Sequence, residues 1–360
     1  MAAKLFEHLV DTLQPWATGL LPNPPAKPPY PEEIYTYTTR AWGSHPAGNY
    51  IMAYLPVRET PAVPTVIVYL HGFAFGNPYF YDAHMQHLAK QGYYVFFADY
   101  QIDNFPDTQS PQPPSSDVQT SKQFLEAALD SFQTAGSTMI ANANEAFQQA
   151  LQVVLPQCQE LDIYLFGHSV GGLFVLSWPF FIGPANIKGI VAADPIPGTA
   201  NLPTWLKVAL RSDAPFLTQP VLPAQTCKGL SNIPTAILIG DSDLFVKVSD
   251  WQKLWPDLAT DCKRIYISQS DYYYNIYRCD DRRALIAYHN QSVTNTLFYG
   301  PEDVQLLIGG AGIQNDLRWR YVWSAFDAVI RGDKADALSF AMGEWSNGKP
   351  VKRVKRWPRA

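Results

Sequence analysis

The feature that most constrains this chain is a run of 25 residues, Ile163–Ile187, that contains no Asp, Glu, Lys or Arg. A run of that length is long enough to cross a bilayer as a helix. It is interrupted, however, by four glycines and two prolines, which suit a buried strand, a tight turn and a short helix. A second charge-free run, Thr60–Tyr81, is interrupted in the same way. We therefore expect both runs to lie in the core of a globular domain rather than in a membrane.

Composition narrows the possible classes of function. Of the 360 residues, 47% are hydrophobic and only 16% are charged, which excludes disorder as a global description. The formal net charge of -5 argues against a protein that binds nucleic acid. The four cysteines have no spacing typical of a zinc site, and no secretory signal is recognisable near the N-terminus. We expect a cytoplasmic protein that needs no metal or organic cofactor.

The order of apolar segments predicts the fold class. Continuous apolar runs alternate with helical stretches, which is typical of an α/β fold with a mostly parallel central sheet and helices on both faces. The strand candidates are Ile34–Trp42, Tyr50–Val57, Thr65–Leu70, Tyr93–Ala98, Ile163–Phe166, Gly189–Ala193, Thr235–Ile239 and Arg264–Ile267. The helix candidates are Asp82–Gln91, Ser116–Leu155, Gly172–Phe181 and Val248–Leu258.

The domain organisation follows from what interrupts this alternation. We expect one domain over 34–345, with two cap-like insertions at about 103–137 and 195–231 that shape a site above the strand ends. An amphipathic helix and a proline-rich arm occupy 1–33, and a basic tail occupies 346–360. A solvated tail is the simpler interpretation, and contact with an anionic membrane surface is the alternative.

The strongest chemical motif is Gly167-His-Ser-Val-Gly171, which lies inside the first charge-free run. An apolar strand precedes it and a helical stretch follows it, as in an elbow that lifts a serine hydroxyl above a sheet. Glycine is needed two residues to either side of the serine because neighbouring backbones crowd there. We therefore predict that Ser169 is a nucleophile.

A nucleophilic serine needs a base, normally a histidine, and the histidine needs a carboxylate that orients it. In a strand–turn–helix elbow the chain order is serine, acid, histidine, and His289 is the only one of the seven histidines that follows both Ser169 and the candidate acids. Asp243 and Asp194 each close an apolar strand, where side chains of a parallel sheet converge. We favour Asp243, keep Asp194 as the alternative acid and place Asp241 third. The carboxylate that is not used should cap a loop.

The oxyanion of a tetrahedral intermediate needs N–H donors that already point at the site. The N–H of Val170, directly after the serine, is one candidate. The other is the N–H of Phe73, in the loop that follows the strand Thr65–Leu70. Gly72 lets this loop approach the serine closely, and His71 is expected to steady the loop.

Together these residues resemble the α/β-hydrolase superfamily, over about 34–340. The resemblance rests on His71-Gly72, the Gly167–Gly171 motif, the Gly240-Asp-Ser-Asp243 strand end and the late His289. It implies the α/β-hydrolase fold, a serine–aspartate–histidine triad and hydrolysis of a carboxylic ester through an acyl-enzyme.

Two branches of that superfamily share different parts of the pattern. Gly167–Gly172 with Asp194-Pro-Ile-Pro-Gly198 is similar to the chlorophyllase and platelet-activating-factor acetylhydrolase branch, in which the acid has the earlier position. The Asp243 strand end is instead similar to the cutinase and dienelactone-hydrolase branches. The tyrosine-rich stretch Tyr272–Arg283, which precedes His289, departs from both.

The aromatic content favours an apolar ester as substrate. Candidates for aromatic walls follow the oxyanion loop and close the elbow helix: Phe73, Phe75, Tyr79, Phe80, Tyr81, Trp178, Phe180 and Phe181. An acyltransferase that uses the same triad, and a catalytically silent relative that binds an apolar ligand, are the alternatives. The sequence leaves the oligomeric state and peripheral membrane contact open.

Asp82, His84 and His87 form a possible metal-binding group on a predicted helix. Further ligands that would complete a metal site are not evident from the sequence. We therefore expect these residues to lie on a solvated helix face.

Overall fold

The computed structural model describes residues 21–114, 118–198, 202, 204–219, 221, 227–274, 282–287, 289, 293–294 and 315–358. Its strands are β1 Tyr37–Trp42, β2 Ile51–Pro56, β3 Thr65–Leu70, β4 Tyr94–Ala98, β5 Asp162–His168, β6 Ile187–Ala193, β7 Thr235–Gly240, β8 Lys263–Ser268, β9 Asp271–Tyr274, β10 Arg282–Leu285 and β11 Lys355–Trp357. Its α-helices are α1 Asp82–Lys90, α2 Val118–Ser131, α3 Gly136–Val154, α4 Val170–Phe181, α5 Thr204–Ala209, α6 Pro215–Thr218, α7 Val248–Leu254 and α8 Ser324–Ile330. A π-helical stretch, Leu317–Trp323, leads directly into α8.

The central sheet has the strand order β1-β2-β4-β3-β5-β6-β7-β8-β11 among the described residues. Six strands run parallel to one another in the middle of this order, namely β4, β3, β5, β6, β7 and β8, and the strands at the two edges, β1, β2 and β11, pair antiparallel. Strand β7 is buried along its whole length, as a strand covered on both faces must be. The predicted fold class, a mostly parallel sheet between helices, is confirmed.

Alternate residues of the central strands divide the core into two layers. Val66 and Val68 of β3 face the layer that contains Phe147 of α3, whereas Ile67 faces the layer that contains Phe326 of α8. This division follows from the two-residue period of a strand. Helices α3 and α4 therefore cover one face of the sheet, and helices α1 and α8 cover the other.

The predicted helix 116–155 is two helices, α2 and α3, and the sequence-based prediction was wrong on this point. The backbone is extended at Ala135, immediately before α3 begins. A Cβ on Gly136 would lie 2.7 Å from a methyl group of Val221, so the two insertions pack closely here. The break allows Phe132 to turn toward Phe216 of the second insertion, with ring centroids 4.2 Å apart.

Both ends of the described chain pack against the domain. Within the proline-rich arm, the ring of Tyr30 lies 4.4 Å from that of His87 and 6.0 Å from that of Trp323. Residues 346–358, expected as a basic tail, continue along the domain and add β11 to the edge of the sheet next to β8. The predicted amphipathic helix of residues 2–21 lies almost entirely outside the described residues.

No helix in the described part of the chain is long and apolar enough to span a membrane. The charge-free run Ile163–Ile187 instead forms β5, the turn at Ser169 and α4. The other run, Thr60–Tyr81, contains β3 and the loop that follows it. Both runs are core segments, as the distribution of glycine and proline predicts.

Candidate active site

Ser169 occupies the turn between β5 and α4 in an unusual backbone conformation, with φ 55° and ψ -116°. A positive φ at a residue other than glycine stores strain and is maintained only where the surroundings enforce it. A Cβ on Gly167 would lie 2.2 Å from the carbonyl oxygen of Gly171, and one on Gly171 would lie 2.5 Å from that of Leu70. Both glycines are therefore required by close backbone contact, as the motif predicts.

Ser169, His289 and Asp243 form one hydrogen-bonded chain. The hydroxyl oxygen of Ser169 lies 2.8 Å from Nε2 of His289, and Nδ1 of His289 lies 2.8 Å from Oδ2 of Asp243. An ionised carboxylate only accepts, so Nδ1 carries the proton and Nε2 has its lone pair directed at the serine. This is the geometry in which a histidine can take the serine proton.

The carboxylate of Asp243 is held in place by backbone donors. Its Oδ1 accepts hydrogen bonds from the N–H groups of Phe245, at 2.7 Å, and Val246, at 2.9 Å. The Asp243 side chain is fully buried, and that of His289 is only 4% exposed. Oδ2 is therefore directed at the imidazole without competition from bulk water.

The other two acid candidates are Asp194 and Asp241, and their carboxylates accept hydrogen bonds from residues outside the triad. Oδ1 of Asp194 accepts from the N–H of Gly240 at 2.9 Å and so fixes the turn after β7. Oδ1 of Asp241 accepts from the N–H and the hydroxyl of Ser270. Both carboxylates stabilise turns beside the triad, and the structure places Asp243 at Nδ1 of His289.

The loop that carries His289 is anchored to the turn after β7. The backbone oxygen of Ala287 accepts from the N–H of Ser242, and a Cβ on Gly240 would lie 2.2 Å from that oxygen. Strands β9 and β10 form the antiparallel hairpin that precedes this loop. The tyrosine-rich stretch Tyr272–Arg283 thus covers the last three residues of β9 and the first two of β10, and residues 275–281 lie outside the described residues.

The predicted oxyanion loop lies directly against the nucleophile. A Cβ on Gly72 would lie 3.3 Å from Cβ of Ser169, so only glycine leaves this space open. The carbonyl of Gly72 accepts from the N–H of Phe75 at 3.1 Å and lies 2.7 Å from Nδ1 of His71. In a trans peptide the N–H points opposite to the C=O, so the N–H of Phe73 points away from these two partners.

Val170 is the first residue of α4 and is fully buried beside the serine. The first N–H groups of a helix have no partner within the helix, and the helix dipole favours negative charge there. Its N–H is thus placed as an oxyanion donor requires. The assignment of Phe73 and Val170 as the two donors stays a prediction.

Two histidines and two aspartates form a buried hydrogen-bonded group beside the oxyanion loop, namely His45, His71, Asp99 and Asp103. Nε2 of His71 lies 3.0 Å from Oδ1 of Asp99, whose Oδ2 lies 2.6 Å from Nδ1 of His45. Asp103 lies 3.2 Å from the same nitrogen, and burial together with Asp99 raises the pKa of Asp103 well above its usual value. No motif in the sequence predicts this group, although His71 contacts the loop as expected.

His45, Asp99 and Asp103 also have the donor types of a metal site. The separation of 2.6 Å between Nδ1 of His45 and Oδ2 of Asp99 is that of a short hydrogen bond. Two ligands bound at about 2.0–2.1 Å around one ion are about 3 Å apart. The donor atoms are thus arranged for sharing protons rather than for a metal ion.

One residue from each insertion joins Phe73 in an aromatic wall beside the oxyanion loop. The ring of Phe132, from the first insertion, stacks on Phe73 with centroids 5.1 Å apart, and Phe216, from the second, packs on Phe132. Phe180 and Phe181, predicted for such a wall, are instead 50% and 38% exposed. They lie at the far end of α4, about 16 Å from the serine at 1.5 Å per residue.

The expectation of a solvated face for His84 and His87 was wrong. Each is only 1% exposed, because Trp323 stacks over both imidazoles. Nε2 of His87 lies 2.9 Å from Asp327 and Nδ1 lies 2.8 Å from Glu33. The pair is a structural joint between α1, α8 and the proline-rich arm.

The chain matches no protein-family model and no curated protein sequence. Among solved structures, it is similar to esterase B from Lactobacillus rhamnosis, at 15% identity and a TM-score of 0.44, over 74% of this chain and 83% of that one. It is also similar to the acylaminoacyl peptidase of Pyrococcus horikoshii, at 16% identity and a TM-score of 0.47, over 66% of this chain but only 36% of the peptidase. A third is the peroxisomal alpha-beta-hydrolase Lpx1 of Saccharomyces cerevisiae, at 10% identity and a TM-score of 0.42, over 66% of this chain and 83% of that one.

Proposed function

We propose that this chain, which has the α/β-hydrolase fold, is a serine hydrolase that cleaves a carboxylic ester of an apolar substrate. The observation that carries the proposal is the hydrogen-bonded chain Ser169–His289–Asp243 at a strained elbow. The order of these residues along the chain, with the acid after the serine and the histidine last, is the one that this fold uses.

The reaction runs in two halves. The hydroxyl oxygen of Ser169 attacks the ester carbonyl while Nε2 of His289 takes the hydroxyl proton. The negative charge on the carbonyl oxygen is bound by the N–H groups of Phe73 and Val170. His289 then gives its proton to the departing alcohol oxygen, which leaves the acyl group on the serine.

In the second half of the reaction, the same groups hydrolyse the acyl-enzyme with a water molecule. His289 takes a proton from a water molecule, whose oxygen attacks the acyl carbon, and returns that proton to the serine oxygen as the acid leaves. Asp243 holds the ring orientation and stabilises the imidazolium in both halves. Ser169 is only 4% exposed, so the developing charges lie in a site from which most water is excluded.

The preference for an apolar substrate is supported by the aromatic wall of Phe73, Phe132 and Phe216. All three rings are buried in the main core cluster that adjoins the oxyanion loop. Phe73 is the most exposed of the three, at 7%, and Phe132 and Phe216 are packed behind it. An apolar acyl group placed against the Phe73 ring is removed from water, which contributes to binding.

The test is hydrolysis of p-nitrophenyl esters by the wild type and by Ser169→Ala. The wild type should release p-nitrophenol, with short apolar acyl esters favoured over charged ones, and the variant should lose this activity. Turnover that is unchanged in Ser169→Ala would overturn the proposal, and absence of turnover in the folded wild type would favour a silent binding protein. Product analysis with added alcohols separates hydrolysis from acyl transfer to a second alcohol.

A further inference from the structure

Three hydrogen bonds connect the oxyanion loop to the catalytic histidine through two side chains that the proposed mechanism does not use. The N–H of Gly72 donates to the hydroxyl oxygen of Tyr81 at 2.8 Å, and that oxygen lies 2.8 Å from Nδ1 of His168. Nε2 of His168 lies 3.2 Å from the backbone oxygen of His289. Tyr81 and His168 are fully buried.

The protons in this connection can be arranged in only one way. A backbone carbonyl only accepts, so Nε2 of His168 carries a proton and donates to His289. Burial and the neighbouring imidazole of His289 hold the pKa of His168 well below its usual value, so its Nδ1 is an acceptor. The Tyr81 hydroxyl must therefore donate to Nδ1 of His168 while it accepts from Gly72.

The two ends of the connection are the two parts of the site that must keep a fixed distance from Ser169. Gly72 precedes Phe73, the candidate oxyanion donor, and packs on the serine. His289 supplies the base at the other end. His168 is the neighbour of Ser169 in the elbow, so the connection crosses the elbow itself.

We propose that Tyr81 and His168 are positioning residues that hold the oxyanion loop and the backbone of His289 in register with Ser169. The inference rests on the proposed function of the triad. Neither side chain touches the reacting atoms. Removal of the connection keeps all three triad side chains but allows the oxyanion loop and His289 to move independently of each other, and small displacements of catalytic groups lower the rate.

The chain contains a matched control for the tyrosine. The hydroxyl of Tyr69 lies 3.1 Å from Nδ1 of His84, and both side chains are buried to the same degree as Tyr81 and His168. Tyr69→Phe and Tyr81→Phe therefore each remove one hydroxyl from a buried tyrosine–histidine pair and keep the ring, and the second pair is the one that is hydrogen-bonded to Gly72 and His289.

The experiment measures kcat and KM for a p-nitrophenyl ester in wild type, Tyr81→Phe and Tyr69→Phe. Tyr81→Phe should lower kcat by about 10- to 100-fold with KM within about twofold of wild type, because the interaction acts on the transition state. Tyr69→Phe should keep both constants within about twofold. Equal effects of the two variants on kcat would overturn the inference.

A second pair of variants tests the histidine and covers the case in which Tyr81→Phe does not fold. His168→Gln retains one donor and one acceptor, whereas His168→Phe retains a ring with neither. The glutamine variant should keep a kcat about 10-fold or more above that of the phenylalanine variant, and a phenylalanine variant as active as the glutamine variant would contradict the inference. Failure of the proposed function is distinguishable, because the wild type would then have no serine-dependent turnover to lower.

Discussion

Two buried histidines of this chain, His289 and His87, are each paired with an aspartate, yet they have opposite roles. Nδ1 of His289 binds Asp243, and Nε2 faces the hydroxyl of Ser169. His87 binds Asp327 through Nε2 and Glu33 through Nδ1. A hydroxyl can give up a proton to a ring nitrogen, whereas a second carboxylate requires that nitrogen to donate. The partner on the second nitrogen therefore decides whether the histidine can transfer a proton or only hold its neighbours together.

The pKa of His87 is consistent with the second role. Burial by itself would lower the pKa of His87, but the hydrogen bonds to Asp327 and Glu33 outweigh burial and raise it. The same contact with His87 outweighs burial at Glu33 and lowers the pKa of that carboxyl. A carboxylate at each ring nitrogen thus favours the protonated form of His87, in which neither nitrogen has a lone pair that could accept a proton.

The largest expected effect is the loss of kcat when the catalytic histidine of this pair, His289, is replaced. His289→Gln removes the base and should lower kcat by about 10^5-fold or more, since a triad loses most of its rate when either serine or histidine is lost. His87→Gln should leave kcat within about twofold. Steady-state kinetics on one ester for both variants checks this. A loss of activity in His87→Gln that matches that of His289→Gln would remove the distinction between the two histidines.

The next largest expected effect is the loss of kcat when Asp243, the acid of the triad, is replaced. Asp243→Asn keeps the shape of the side chain but presents an amide to Nδ1, so the ring loses the tautomer that it needs and kcat should fall by about 10^4-fold. Asp194→Asn alters only the turn after β7 and should lower kcat by less than about tenfold. The two variants are compared in the same esterase assay. A larger loss for Asp194→Asn would assign the acid to the earlier strand.

A smaller effect is expected on the stability of the protein when His87, the structural histidine of this pair, is replaced. His87→Gln removes the imidazole that bridges the carboxylates of Asp327 and Glu33 and should lower the free energy of unfolding by about 2–3 kcal/mol. Urea unfolding measures this change. Lys253→Gln, at an exposed ion pair with Asp250 far from this joint in the chain, serves as the control and should change the free energy of unfolding by less than about 1 kcal/mol.

The smallest expected effect is in the pH dependence of that stability. The folded-state pKa of His87 is raised, so its contribution is fully present below the pKa of an unfolded histidine, about 6.5, and is lost as pH rises through the raised value. The difference in Tm between wild type and His87→Gln should therefore be largest near about pH 6 and should shrink toward alkaline pH. A difference that grows with pH would show that His87 is neutral in the folded protein.

The catalytic histidine could be predicted from the sequence, whereas the burial of His87 could not. The elbow around Ser169 and the position of His289 after it follow from local spacing and chain order, so both could be predicted. Nothing local separates Asp243 from Asp194, because both close parallel strands and only the packing of the loop that carries His289 places one of them at Nδ1. His87 was predicted as a solvated residue because its burial depends on Trp323, which lies far away along the chain.

Longer-range effects also account for the other differences. The break between α2 and α3 lies at Ala135 and Gly136, where the two insertions pack closely, and a single glycine inside a helical pattern was too weak a signal to predict it. The connection from Gly72 to His289 uses Tyr81, which the sequence predicted only as part of an aromatic wall. Its hydroxyl gains a role from two partners on different elements, a property that exists only in the folded chain.

The most direct test of the central claim, that His289 activates Ser169, is the rate at which a fluorophosphonate probe labels the serine. The folded wild type should give one adduct, mapped by mass spectrometry to the peptide that contains Ser169, and His289→Gln should form it at least about 10^3-fold more slowly. A wild type that stays unlabelled, or labelling at the same rate in His289→Gln, would contradict the account.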